Sequence, residues 1–473
     1  MATSKQKLVT KSNVAKSKSI KSASKFDVRI ISLLAVALVA VVGYLFIQFS
    51  KAGAEKDYAY NLTHDNGITT VAVWDPAAQP LVKTFPLPAL QACYPGGWAQ
   101  SYSRVLKMPG TDFAYAIPEF CAGSYIQGTT PDLTSKVAII NTKTHVYSGN
   151  QIDVSFPKTA AIDAVVNPQK KHLYLYDTNS GPGNLLVIDA VTNKVIKRLT
   201  LNTYGRAVQV IPSGDGTKLA VLYGRPDGTI AQTANSAHLV TLDTTSYEAV
   251  ARGKFGEGFG YHGTTTSVMA TPDASGKYLY AALPSFVAGT SGHYTKIRIA
   301  KIDLATMQAT YSADLDVMVN CYTSKGMDLV TTARGVYILA ATNCLGTSEE
   351  TAESRLYLYN PTSQIVTQVL GKEVGNGSRL FAKSDATGLF ITAVYPTSGT
   401  FLSDYNFANG VLTKVVLGNI QSVISGGVTS VSTAVPLPTT ATTPYIDPSG
   451  TIHPEPSVII PTTPVTPAPA ASS

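Results

Sequence analysis

Five charged side chains fall near one early position of successive apolar hairpins when these are aligned on their turn residues. Arg104, Asp163, Asp328 and Arg379 coincide, and Arg206 stands one residue earlier in its own hairpin. Guanidinium and carboxylate groups set around a common opening make charge-assisted hydrogen bonds, which suit an anionic or sugar-like ligand. Charges enclosed in a channel also neutralise one another, and mutual ion pairing is the stronger expectation. Tyr261-His262 lies in a Gly-rich connection at the same end and completes the candidate ligand-binding set. No catalytic residue is assigned. The sequence holds no Gly-x-Ser-x-Gly, His-Glu-x-x-His, phosphate-binding glycine loop or EF-hand loop, and no histidine completes a nucleophile–base pair. The seven histidines lack metal-ligand spacing, so no metal and no cofactor are expected.

A repeat must position these residues. An Asp or Asn ends an apolar strand, and a small residue follows three places later. The pairs are Asp75/Ala78, Asn141/Thr144, Asp189/Thr192, Asp243/Ser246, Asp303/Thr306, Asn360/Ser363 and, more weakly, Asn406/Asn409, spaced 46 to 66 residues apart. The Asp or Asn side chain accepts a hydrogen bond from the backbone two residues on and closes a turn between two strands. Ahead of most of these outer hairpins lies an inner one: Arg104–Ile117, Ile162–Tyr176, Ala207–Tyr223, Ser267–Leu283, Met327–Thr342 and Arg379–Tyr395. Inner plus outer hairpin makes a four-stranded sheet, one blade of a β-propeller. The first outer hairpin, Val71–Phe85, lacks an inner partner, and the last inner hairpin, Val423–Val435, lacks an outer one. Joined, they close the ring and remove the free sheet edges. The expectation is an all-β, seven-bladed β-propeller over residues 64–435, closed by its N- and C-terminal strands. A composition of 37 Gly and 27 Pro suits such a turn-dense chain.

The four cysteines bracket inner hairpins. Cys93 precedes the first and Cys121 follows it; Cys321 precedes the fifth and Cys344 follows it. Residues flanking a hairpin share its open end, so the spacing predicts Cys93–Cys121 and Cys321–Cys344 disulfides in an oxidising compartment. Each would be worth roughly 3 kcal/mol in the chain-entropy picture.

The chain ends differ from this middle. Residues 1–29 carry seven lysines and Arg29 against Asp27, which accounts for the whole formal net charge of +7. The remainder is neutral overall, so the basic balance does not imply a nucleic-acid partner. Ile30–Phe49 is almost wholly apolar and long enough to span a bilayer. Basic residues before it predict a single-pass signal anchor with residues 1–29 as a cytoplasmic tail. Cleavage after Ala52-Gly53-Ala54 is the alternative. Residues 50–63 read as a linker, and the Pro/Thr-rich 436–473 as an extended, disordered tail.

Leu185-Leu186-Val187-Ile188-Asp189 through Lys194-Val195-Ile196, with Leu173-Tyr174-Leu175-Tyr176-Asp177-Thr178-Asn179 and Lys277-Tyr278-Leu279-Tyr280, resembles the YVTN-type β-propeller repeat family of surface proteins. The resemblance covers roughly 65–435 and implies a propeller with an extracytoplasmic binding or scaffold role. The reading is therefore a membrane-anchored, cell-surface propeller that engages a protein or glycan partner without catalysis. The alternative is a propeller enzyme, lactonase-like or quinoprotein-like, with its site at the channel mouth.

Overall fold

A computed structural model describes residues 57–65, 67–76, 81–90, 100–119, 133–156, 162–177, 183–201, 206–225, 237–255, 261–262, 265–266, 269–286, 294–316, 327–343, 353–371, 374, 377–383, 386–395, 399–416, 430–431, 439–442 and 456–458. Among these, no helix is long and apolar enough to cross a membrane. The predicted tail 1–29, the anchor Ile30–Phe49 and all four cysteines lie outside the described residues.

Seven sheets follow one another along the chain. Blade 2 runs from innermost to outermost as Ser101–Lys107, Phe113–Glu119, Leu133–Asn141 and Val146–Phe156. Blade 3 is Ile162–Asn167, His172–Asp177, Asn184–Asp189 and Lys194–Thr200. Blade 4 is Arg206–Pro212, Lys218–Arg225, Ala237–Asp243 and Ala249–Phe255. Blade 5 begins with Met269–Pro272, Tyr278–Phe286 and Tyr294–Asp303, and its outer edge is split between Ala309–Tyr311 and Leu315–Asp316. Blade 6 is Met327–Thr332, Gly335–Asn343, Glu353–Tyr359 and Val366–Leu370. Blade 7 is Gly377–Ala382, Gly388–Tyr395, Gly399–Asn406 and Leu412–Val416. The seven-bladed, all-β expectation holds.

Ring closure differs in detail from the expected pairing of two hairpins. Blade 1 takes three strands from the N-terminal side, Tyr58–Asp65, Ile68–Trp74 and Leu81–Pro86, and one from the C-terminal side, Ser430–Val431. The last is the innermost, and it lies parallel to Tyr58–Asp65 through Tyr58↔Ser430 and Ala59↔Val431. The linker assigned to 50–63 and the propeller start at 64 are corrected accordingly: from Tyr58 the chain is strand. The cause is alternation, because Tyr58, Tyr60 and Leu62 share one face and pack on blade 2. The tail expected to lack strands contains a short antiparallel pair, Thr439–Thr442 with Pro456–Val458. Thr439, Thr440, Thr442 and Val458 are β-branched, which favours the extended backbone.

The outer turns work as the repeat implied. Asp189 Oδ1 accepts from the Val191 N–H at 2.8 Å, and Asp243 Oδ1 from Thr245 and Ser246 N–H, both at 2.8 Å. Asn141, Asp303, Asn360 and Asn406 act alike. The turn has a further position that the sequence pattern hides. Four residues beyond the Asp or Asn, the backbone turns left-handed at His145, Asn193, Tyr247, Met307, Gln364 and Gly410. At His145, Asn193 and Tyr247 that residue meets the preceding blade. His145 Nδ1 meets the Tyr60 hydroxyl at 3.0 Å, Asn193 Oδ1 accepts from the Tyr115 hydroxyl at 3.0 Å, and the Tyr247 hydroxyl meets His172 Nδ1 at 3.1 Å. Tyr60, Tyr115 and Tyr174 occupy one register position of the second strand, as do Tyr280 and Tyr337 in blades 5 and 6. Tyr280 packs edge-on to Tyr359 of the next blade, and Tyr337 stacks on Phe407 of the next blade at 5.1 Å. Repeated aromatic and hydroxyl contacts therefore tie the second strand of one blade to the outer turn or third strand of the next.

Candidate functional site at the channel mouth

Register defines one level on the innermost strands. Arg104, Asp163, Gln209, Met269, Asp328 and Arg379 each oppose the equivalent residue of the second strand: Ile117, Tyr176, Leu222, Ala282, Leu339 and Thr392. Four of the five expected charges stand at that level. Arg206 does not: it pairs with Arg225, and register shifts beside Ala207 place Gln209 at the ring position instead. Arg206 stands three residues ahead of that position in the sequence, and both register shifts of this strand pair lie between the two. Counting four residues back from the residue that opens each inner turn, here Ser213, would have found Gln209 and Met269.

The ring residues brace the blade that follows. Arg104 forms an ion pair with Asp163 across blades 2 and 3. Asp163 Oδ1 also accepts from the Ala164 N–H at 2.7 Å, and its Oδ2 accepts from the Tyr176 hydroxyl at 2.9 Å. Burial holds the Arg104 guanidinium down to about 10, with the like charge of Arg379 adding to the shift and Tyr176 opposing it. Gln209 clamps one residue of blade 5: its Oε1 accepts from the Ala270 N–H at 2.9 Å, and its Nε2 donates to the Ala270 carbonyl at 3.0 Å. Asp328 is buried and accepts from two backbone amides, Leu329 N–H at 3.0 Å and Leu380 N–H of blade 7 at 2.8 Å. Burial raises its carboxyl above the ordinary range, against the pull of Arg379 and those two amides. Arg379 differs from the others. It is exposed and makes no hydrogen bond or ion pair among the described residues.

This arrangement positions strands and leaves one cation outward. The Asp163 and Asp328 oxygens already accept hydrogen bonds, as a brace requires, whereas a general base must reach a substrate proton. Among the described residues, no three His, Cys, Asp or Glu side chains converge as metal ligands. Tyr261–His262 pairs with Thr265–Thr266 in a small separate ladder, and the description there extends to backbone alone. Cys93, Cys121, Cys321 and Cys344, with their expected disulfides, lie outside the described residues.

The channel-mouth residues sit where antiparallel order places the connections between the second and third strands and between successive blades. The opposite end holds the turns within each hairpin. There Lys171 Nζ donates to the Pro109 carbonyl at 2.8 Å, Asn167 Nδ2 to the Gly216 carbonyl at 3.0 Å, and an Arg334 guanidinium N–H to the Phe407 carbonyl at 2.9 Å. Blades are thus tied at both ends, by side chains at the mouth and by turn contacts opposite.

No family model matches this chain, and no curated protein matches it in sequence. Solved structures do resemble it. A protein from Lactobacillus plantarum is 12% identical with a TM-score of 0.49, covering 80% of this chain and 99% of its own. A putative 6-phosphogluconolactonase from Bacteroides uniformis is 10% identical with a TM-score of 0.48, covering 76% and 95%. The β-propeller domain of the trilobed protease from Pyrococcus furiosus is 13% identical with a TM-score of 0.41, covering 67% and 86%. The chain's own sheets establish its architecture as a seven-bladed β-propeller.

Proposed function

We propose that this protein is a membrane-anchored, extracytoplasmic propeller that binds a protein or glycan partner and performs no catalysis. The observation that carries this reading is the commitment of the ring carboxylates. Asp163 is held by Arg104, Tyr176 and Ala164, and Asp328 by Leu329 and Leu380. Groups so held stabilise the shape of the mouth and present a firm rim. The likeness of Leu173–Asn179 and Leu185–Ile196 to YVTN-type surface repeats supports the same role. The anchor reading rests on the lysine-rich 1–29 ahead of the apolar Ile30–Phe49.

Protease added to intact cells expressing the full chain tests the location. The expected result is loss of the propeller and survival of a lysine-rich, membrane-bound fragment. A propeller protected until the cells are lysed, or a mature chain beginning at Glu55, would contradict the anchored arrangement. Turnover of a lactone by the purified full-length protein, abolished in an Asp163→Asn variant that still folds, would contradict the non-catalytic reading.

A further inference from the structure

Hydrogen-bond donors and acceptors are out of balance at the channel mouth. Arg104 and Arg379 share the ring level with Asp163 and Asp328. Both carboxylates are committed to the fold. Asp163 accepts from Arg104, the Ala164 N–H and the Tyr176 hydroxyl, and buried Asp328 accepts from the Leu329 and Leu380 N–H groups. Gln209 uses both ends of its amide on Ala270. The guanidinium donors are not committed in the same way, because each fork carries several N–H groups. Arg104 turns one nitrogen to Asp163 and keeps a partly exposed side chain. Arg379 is exposed and has no hydrogen bond or ion pair among the described residues.

The Arg379 side chain serves the common opening rather than its own blade. Its strand belongs to blade 7, yet its charge acts on Arg104 of blade 2, Tyr176 of blade 3 and Asp328 of blade 6. Groups from three other blades fall within electrostatic range of one guanidinium when it lies toward their shared axis. Two like charges therefore meet in the mouth, and the Arg104 guanidinium is held down by burial and by the charge of Arg379. No Asp or Glu occurs between Asp404 and Asp447, the stretch that contains Ser430–Val431 of blade 1. The segment that closes the ring thus supplies no carboxylate to relieve the pair.

We propose that the channel mouth binds a small monocarboxylate, held between the guanidinium groups of Arg379 and Arg104. The planar fork of Arg379 matches the two oxygens of a carboxylate, and the N–H groups of Arg104 not turned to Asp163 close on the same anion. A carboxylate brings acceptors and no donor, which complements a surface whose own acceptors are occupied. The single charge follows from the neighbours. Asp163 stands beside Arg104 and Asp328 acts on Arg379, so each further negative charge on the ligand meets their repulsion. The site does not depend on the membrane location or on the partner proposed above.

Calorimetric titration of the full-length protein near neutral pH with acetate, inorganic sulfate and glycerol tests it. Saturable binding of acetate with a Kd of about 1 mM is expected, with sulfate and uncharged glycerol weaker by about tenfold or more. Arg379→Gln, a change at an exposed position, should melt as the parent does and weaken acetate by about tenfold. Arg379→Lys, which keeps the charge without the fork, should fall between the two. Lys143→Gln, at an exposed outer turn away from the mouth, should leave acetate affinity unchanged. Absence of saturable acetate binding at roughly 50 mM, sulfate affinity equal to that of acetate (an adventitious ion only), unchanged affinity in Arg379→Gln, or an equal loss in Lys143→Gln would each overturn the proposal.

Discussion

Blades 2 and 3 meet across a continuous apolar layer that includes Leu106, Tyr115, Ile139, Phe156, Leu175 and Ile188, all buried. Blades 1 and 7 meet where the buried apolar cluster on the blade 1 side comprises Ala59, Ala72 and Trp74 among the described residues. The repeat is the same, and the interfaces are not. Between blades 2 and 3 the Tyr115 hydroxyl reaches Asn193, and Arg104 reaches Asp163. At the seam the tyrosine position of blade 7 holds Phe390, which has no hydroxyl to offer, and the ring residue Arg379 stays exposed. Blade 1 adds Asn61 and Trp74 with unsatisfied polar atoms. A propeller can therefore be well packed around most of its circumference and still carry one seam where chain ends meet and polar surface is buried without partners.

The largest expected effect breaks the tight side of this contrast. Arg104→Met should strand the Asp163 carboxylate and cost about 3 kcal/mol in urea unfolding, whereas the double variant Arg104→Met/Asp163→Leu should recover most of that loss. A double variant no more stable than the single would show that the ion pair is not a unit. Tyr115→Phe removes one interblade hydrogen bond and should cost about 1 kcal/mol by the same measurement. The matching change at the seam should have the opposite sign: Asn61→Leu removes an unpaired buried amide and should stabilise by about 1 kcal/mol. If both changes destabilise equally, the two interfaces are alike and the contrast fails.

Titration sharpens it further. Burial lowers the proton affinity of His145 and His172, each of which meets a tyrosine hydroxyl at a blade interface. The neutral ring is the form the fold accommodates. The unfolded chain therefore takes up protons first as pH falls through about 6.5, and stability is present above that value and declines below it. Lys83 faces His145, and Asp189 and Lys170 face His172, so both rings sit in mixed fields. The melting temperature should fall between roughly pH 6.5 and 5, and the fall should flatten in a His145→Gln/His172→Gln variant. Retention of the full slope in that variant would assign it to other groups. The smallest effect is at Gln364, exposed and left-handed at φ 59°. Gln364→Gly should stabilise by about 0.5 kcal/mol, because only the steric cost of the side chain is removed.

The sequence made the outer turns legible because Asp and Asn close them through their own side chains, as Asp189 and Asp243 do. It made the ring legible at Arg104, Asp163, Asp328 and Arg379. Gln209 escaped: the charged Arg206 stands three residues ahead of it, and both register shifts of the strand pair lie between the two. The left-handed turn position escaped because His145, Asn193, Tyr247, Met307 and Gln364 share a backbone shape and no side-chain chemistry. Tyr58–Asp65 was hidden by its place directly after an apolar run and a small-residue stretch, although its alternation was visible. The unpartnered state of Asn61 could not be read at all, since it depends on which strand lies opposite.

Hydrogen exchange under native conditions, followed by mass spectrometry of the full-length protein, tests the central claim most directly. If the seam is the weak closure of the ring, amides of Tyr58–Asp65 and Gly377–Ala382 should exchange through lower-energy openings than those of Ser101–Lys107 and Ile162–Asn167. Equal or greater protection of the two seam strands would contradict this account.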